Sequence, residues 1–162
     1  MRLSKITPSL SLVLVNPQIP PNTGNVARLC AVTGCRLVLI GPLGFSIAQK
    51  DLRRAGLDYW DKVFQSFYPS LEEYVSAHQD TRMHLFSSHA TKSYWQTDFQ
   101  PGDHLVFGSE QHGLPAWFTE LRASSLTTIP MLPDRRCLNL STSVGIAAYE
   151  ALRQISLAGP QG

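Results

Sequence analysis

At 162 residues, with 43 % apolar and 16 % charged residues, the chain has the size and composition of one ordinary soluble domain with a proper core. No apolar run approaches the roughly 18 residues of a membrane span, and "MRLSKITPSL" lacks a signal peptide's apolar core, so a cytoplasmic, membrane-free protein is expected. A net charge of +2 is too small to argue for a polyanionic partner unless the basic residues cluster in space.

"SLSLVLVNP", Ser9 to Pro17, is an apolar, β-branched run stopped by Asn-Pro and reads as a buried strand. From Asn22 onward Val26, Leu29, Cys30 and Thr33 recur at helical spacing, and the pattern ends near Gly34. "CRLVLIGP" is a second buried strand, so the first three elements predict a β-α-β unit with a parallel pair. "KDLRRAGLDYW" predicts a short helix and turn, and "KVFQSF" a strand. Ser70 followed by Glu73 is a capping box that opens a helix through about Ala77. "MHLFSS" and "HLVFGSE" are two more short strands, and Pro115 suits the first turn of a helix carrying Trp117, Phe118 and Leu121. "SLTTIPM" predicts a last strand, and "LNLSTSVGIAAYEALRQ" a last helix capped by Asn139 or Ser141. Residues 1–8 and 156–162 are expected to be flexible ends of a single domain.

Alternating strands and helices predict a three-layer α/β fold with a mainly parallel sheet. Ligands of such folds bind beyond the carboxyl ends of the strands. That rim would carry Asn16–Asn25, Ser87–Lys92, Gly108–Gly113 and Pro130–Ser141, all rich in Gly, Pro, Asn or Ser.

Each segment has an ordinary reading beside a functional one. "IPPNTGN" is no P-loop and no dinucleotide fingerprint, but its helix start could hold a phosphate; equally, Asn22 and Asn25 could be turn and cap residues. Arg28, near that helix start, opposes the helix dipole and hints at a compensating anion. In "FGSEQHGLP", Gly108 would let a ligand approach the backbone, or Glu110 would simply be solvated in a turn. "IPMLPDRRCLNLS" combines stiffening prolines, Arg135 and Arg136 with Asn139 and Ser141 at a helix start, more than a turn requires. Arg53 and Arg54, with Tyr59 and Trp60, either offer cations and stacking faces to RNA or form a solvated helix with aromatics on the core. His78, His84, His89 and His104 show no metal-ligand spacing and are placed on the surface or at strand edges. Cys30, Cys35 and Cys137 are odd in number and lack zinc spacing as well, so no metal is expected and the thiols read as buried or free in a reducing cytoplasm.

Taken in order, "NPQIPPNTGNVARLCAVTG", "KDLRRAGLDYW", "LVFGSEQHGLP", "IPMLPDRRCLNLS" and "VGIAAYEALRQ" resemble the SPOUT superfamily of methyltransferases. The resemblance is to its small tRNA 2′-O-methyltransferases acting at the anticodon wobble position, and it spans nearly the whole chain, leaving no room for a separate RNA-binding domain. It implies a C-terminal trefoil knot, a homodimer, a tRNA anticodon stem-loop as partner and S-adenosylmethionine as cofactor. Carried over by position, Ser88, Gly108, Ile129, Met131, Cys137 and Leu138 would form the cofactor pocket. Arg28 would orient the phosphate beside the target ribose, with Asn25 and Asn139 positioning the sugar. Asn22 and Glu110 would also lie on the substrate side, Glu110 offsetting the sulfonium charge, and Ser141 would cap the last helix. Two departures stand out: Cys137 replaces the family's usual serine, and "FSSHATKS" is more polar than the family's usual wall. The competing readings are a non-catalytic RNA-binding module of the same fold and a small-molecule nucleotide-binding α/β protein.

Overall fold

The run Ser11–Val15 has no polar face because both of its faces are covered: all five residues of this strand, β1, are buried. The computed structural model describes residues 3, 6–46 and 63–158. β1 is followed by helix α1 (Pro20–Thr33), β2 (Arg36–Ile40), β3 (Phe64–Tyr68), α2 (Leu71–Ala77) and β4 (Met83–Phe86). Then come β5 (His104–Phe107), α3 (Ala116–Leu121), β6 (Leu126–Thr127) and α4 (Leu140–Leu157). The six strands form one sheet in the order β3-β2-β1-β5-β4-β6, and every pairing is parallel.

Side chains of a strand alternate between faces, which splits the apolar runs into two cores. Leu12, Leu14, Leu37, Leu39, Leu105 and Phe107 pack under α1 and α4, against Val26, Ala27, Val144, Ala148 and Ala151. Val13, Val15, Val38, Ile40, Leu85 and Val106 face the other way, against Leu71 and Tyr74 of α2 and Phe118 of α3. This is the expected three-layer arrangement. Among the described residues no helix is long and apolar enough to cross a membrane.

Several boundaries differ from the sequence reading. α1 starts at Pro20, before Asn22, because two prolines at its first positions have the required φ and lose no useful N–H. Its N-cap residue is Ile19, with no side-chain cap of its own, so neither Asn22 nor Asn25 is a local cap. Arg28 is consequently well past the first turn, where the dipole no longer opposes it. Pro115 is the N-cap of α3 rather than its first residue. β6 is only two residues long, because Thr128 turns from β4 to Lys92 and Tyr94 for its hydrogen bonds. α4 continues through Ser156 and Leu157, residues expected in a flexible tail; residues 159–162 of that expected tail lie outside the described residues. The readings of Lys50–Trp60, with Arg53, Arg54, Tyr59 and Trp60, and most of those for residues 1–5, also lie outside it.

His104 is not at a strand edge: it opens the interior strand β5, is buried, and its Nδ1 lies 2.7 Å from the Tyr74 hydroxyl. Ser70 accepts from the Glu73 N–H, as the capping box requires.

Candidate active site

The chain runs from β1 outward to β2 and β3, then returns to place β5, β4 and β6 on the other side of β1. The carboxyl ends of β1 and β5 therefore diverge into a crevice, the usual ligand position in open α/β sheets. A cleft of about 550 Å³ lies there, bounded by the loops after β1, β4, β5 and β6. These are the four segments expected from the sequence. Phe86 and Phe107, the last residues of β4 and β5, stack at 4.7 Å and both line the cleft.

The polar side of the cleft is a chain of hydrogen bonds anchored on Glu110. Its carboxylate accepts from the Gln18 N–H at 2.8 Å, the Ile19 N–H at 3.1 Å and the Asn22 side-chain amide at 3.1 Å. It thus caps α1 from the far side of the cleft by satisfying the N–H of the N-cap residue Ile19 and of Gln18 before it. Burial pulls the Glu110 pKa upward, but the hydrogen bonds from Gln18, Asn22 and Ile19 outweigh it and hold the carboxyl below its ordinary range. Asn22 also accepts from the Asn139 amide at 2.9 Å. Asn139 caps α4, its side-chain oxygen accepting from the Ser141 N–H, the Ser141 hydroxyl and the Thr142 N–H. Asn25 reaches Ser141 Oγ at 3.5 Å. One carboxylate therefore sets the starts of both helices that flank the cleft.

Of the residues expected in the site, Ser88, Gly108, Ile129, Met131, Cys137, Leu138, Asn22, Glu110 and Asn139 line the cleft. Arg28, Asn25 and Ser141 do not; Asn25 and Ser141 meet at its margin, and Arg28 is exposed one turn further along α1. Glu110 is no solvated turn residue, since its oxygens hold the start of α1. The expectation that Gly108 clears space for a ligand also changes: a Cβ there would lie 2.0 Å from the Gly113 carbonyl carbon. The glycine is required by the tight Ser109–Gly113 bridge of its own loop. Sequence reasoning missed Phe86, Phe107 and Ser143; the first two had the signal of being the last apolar residues before rim loops.

Among the described lining residues there is no lysine or arginine, and Glu110 is the one carboxylate. A nucleoside phosphate would find no lysine or arginine among these residues, which favours it less than a ligand without phosphates. Arg135 and Arg136 are exposed on the loop between β6 and α4, outside the lining. The same residues include no cluster of three His, Cys, Asp or Glu side chains suited to a metal ion.

The model of the SpoU rRNA methylase family matches residues 9–149. The chain belongs to the SpoU family. Within this family it is 45 % identical over 161 residues to a tRNA (cytidine(34)-2′-O)-methyltransferase of Acidovorax sp., covering 92 % of this chain and 94 % of the relative. The enzyme of that name from Escherichia coli K12 is 42 % identical over 151 residues, covering 93 % and 96 %. A solved structure described as giving insights into the 2-OH methylation of C/U34 on tRNA superposes with a TM-score of 0.82. It is 44 % identical, and the match covers 93 % of this chain and 97 % of that one.

Proposed function

We propose that this chain transfers the methyl group of S-adenosylmethionine to the ribose 2′-hydroxyl of the wobble nucleotide of tRNA, a cytidine or modified uridine at position 34. The observation that carries this is the near full-length likeness to enzymes named for that reaction, joined to a cleft at the position the fold reserves for a ligand. The lining fits the cofactor: Ile129, Met131, Leu138, Phe86 and Phe107 offer apolar faces for an adenine, and main-chain groups around Ser88, Gly108 and Cys137 offer donors and acceptors. Described lining residues with no lysine or arginine and one carboxylate suit a ligand that carries a positive sulfur. When bound, the cofactor supplies an electrophilic methyl group.

The chain's own residues then have to bring a hydroxyl to that methyl and take its proton away. Arg28 is exposed beyond the lining, where it can bind the phosphate next to the target ribose. A guanidinium stays protonated and is no ordinary base, so Arg28 orients that phosphate, which or a water beside it accepts the proton. Asn25 and Asn139, tied together through Ser141, hold the sugar at the cleft's margin. Orientation of this kind can contribute about 7–11 kcal/mol to such a transfer.

Two assembly features belong to the same reading. The C-terminal segment threads through a loop as a knot: Thr127 and Thr128 hydrogen-bond to Ser87 at one end of residues 87–94 and to Lys92 and Tyr94 at the other, which supports it. The enzyme works as a cytoplasmic homodimer on the anticodon stem-loop. Val32 on α1 and Tyr149 and Leu157 on α4 are large, exposed apolar side chains on two packed helices, which is what a second copy would cover.

The decisive experiment incubates the protein with methyl-labelled S-adenosylmethionine and unmodified tRNA, digests the RNA and identifies the labelled nucleoside. Label in a 2′-O-methylated nucleoside at position 34 is expected. Its absence, at concentrations where both ligands bind, would end the catalytic reading in favour of an RNA-binding module.

A further inference from the structure

A helix cap needs one acceptor, yet Glu110 takes three donors, and Asn22 uses both ends of its amide. Asn22 is buried, at 4 % exposure, between Glu110 and Asn139. It therefore joins the loop after β5 to the loop after β6 through the first turn of α1. The second of these loops is exposed at every residue from Met131 to Asn139, and Met131, Cys137, Leu138 and Asn139 line the cleft. Whatever fills the cleft must settle that loop, and the loop ends on the side chain that grips Asn22. Along α1, Asn25 and Arg28 follow Asn22 at steps of three residues, on a helix seated by the buried Val26, Ala27 and Cys30. A shift of the first turn is carried to them as a rigid body.

We propose that the Glu110–Asn22–Asn139 bridge couples the two halves of the site, so that the cofactor and the RNA each strengthen the other's binding. Glu110 and Asn22 are positioning residues acting through α1 and Asn139. This rests on the methyl-transfer reading above. Coupling of this kind is reciprocal: whatever factor the cofactor adds to RNA affinity, RNA adds to cofactor affinity.

The test titrates an anticodon stem-loop RNA into the full chain with and without saturating S-adenosylhomocysteine, then reverses the order. About tenfold tightening is expected in both directions. In Asn22→Asp a carboxylate faces Glu110, so at pH 8 the factor should drop below about twofold, and recover toward pH 5 as the pair shares a proton. The double variant Asn22→Asp with Glu110→Gln restores a donor opposite an acceptor and should regain the coupling at pH 8. A purely structural role would show thermal destabilisation, relieved at low pH or by Glu110→Gln, with the coupling factor itself unchanged. Equal affinities with and without the second ligand in the unaltered chain, or undiminished coupling in a folded Asn22→Asp, would overturn the proposal. Coupling in a chain that transfers no methyl group would sustain it and overturn the catalytic reading instead.

Discussion

The two ends of the sheet both carry buried polar groups, but they use them differently. At the carboxyl end, Glu110, Asn22 and Asn139 converge on an open cleft. At the amino end, Asp103 is 1 % exposed and accepts from the side chain of Arg82 at 2.9 Å, from His84 Nε2 at 2.7 Å and from the Gln100 N–H at 2.8 Å. Beside it His104 meets Tyr74, whose ring also packs on His78. A second cleft, about 420 Å³, opens nearby; of its three Lys and Arg residues, Arg82 is tied to Asp103 and the Asp98 carbonyl and Arg122 to the Gln79 carbonyl, while Lys92 is exposed. The amino-end network gathers its donors on one buried carboxylate and stabilises; the carboxyl-end network ties together two loops that line a cleft and can act on a ligand.

If that contrast holds, substitutions at the two ends should separate activity from stability. The largest effect is expected at the carboxyl end: Arg28→Ala should lower kcat/KM for methyl transfer about 100- to 1000-fold, with cofactor affinity by calorimetry unchanged and melting within a degree or two. Equal loss of transfer and cofactor binding would mean that Arg28 belongs to the cofactor pocket. At the amino end, Asp103→Ala strands three donors and should cost about 2–4 kcal/mol in urea unfolding, leaving cofactor affinity intact.

The next effect is a pH dependence from the same end. Burial, reinforced by the neighbouring His78, pushes the His104 imidazole from its ordinary 6.5 down to about 4, with Asp103 opposing and Arg36 adding to the shift. The unfolded chain takes up this proton near pH 6.5 while the folded chain refuses it until about pH 4, so stability must fall as pH drops through that window and level off below it. The loss should reach about 2–3 kcal/mol and be largely absent in His104→Gln, as followed by unfolding at pH 7, 5.5 and 4.5. Asp103 acts in the same direction: burial raises its pKa, but His84, the Gln100 N–H and Arg82 prevail and lower it, so its contribution is lost as pH falls through the folded value. The smallest effect is expected from Cys137→Ser, which should change cofactor affinity less than about threefold, since a main-chain contact survives the exchange; a larger change would assign the thiol itself to the ligand.

Much of this was legible in the chain. Apolar runs such as Ser11–Val15 specify strands covered on both faces, and the alternation of strands with amphipathic helices specifies parallel pairing, because only a crossover can return the chain in the same direction. The parallel sheet in turn places its loops on one rim, which is why nine of the twelve expected site residues line a single cleft. The capping box at Ser70 and the cap at Asn139 are equally local, resting on side chains within three residues of the groups they satisfy.

What only the tertiary structure decided are relations between residues far apart in sequence. Glu110 caps a helix that begins ninety residues earlier, and Gly108 is small for the sake of Gly113 rather than a ligand. His104 is polar by type, yet it lies in an interior strand because the Tyr74 hydroxyl answers its ring nitrogen. Periodicity and caps are written in neighbouring residues and can be read one segment at a time. A hydrogen-bond partner across a cleft is chosen by how the strands are ordered in the sheet, and that order follows from the packing of the whole chain.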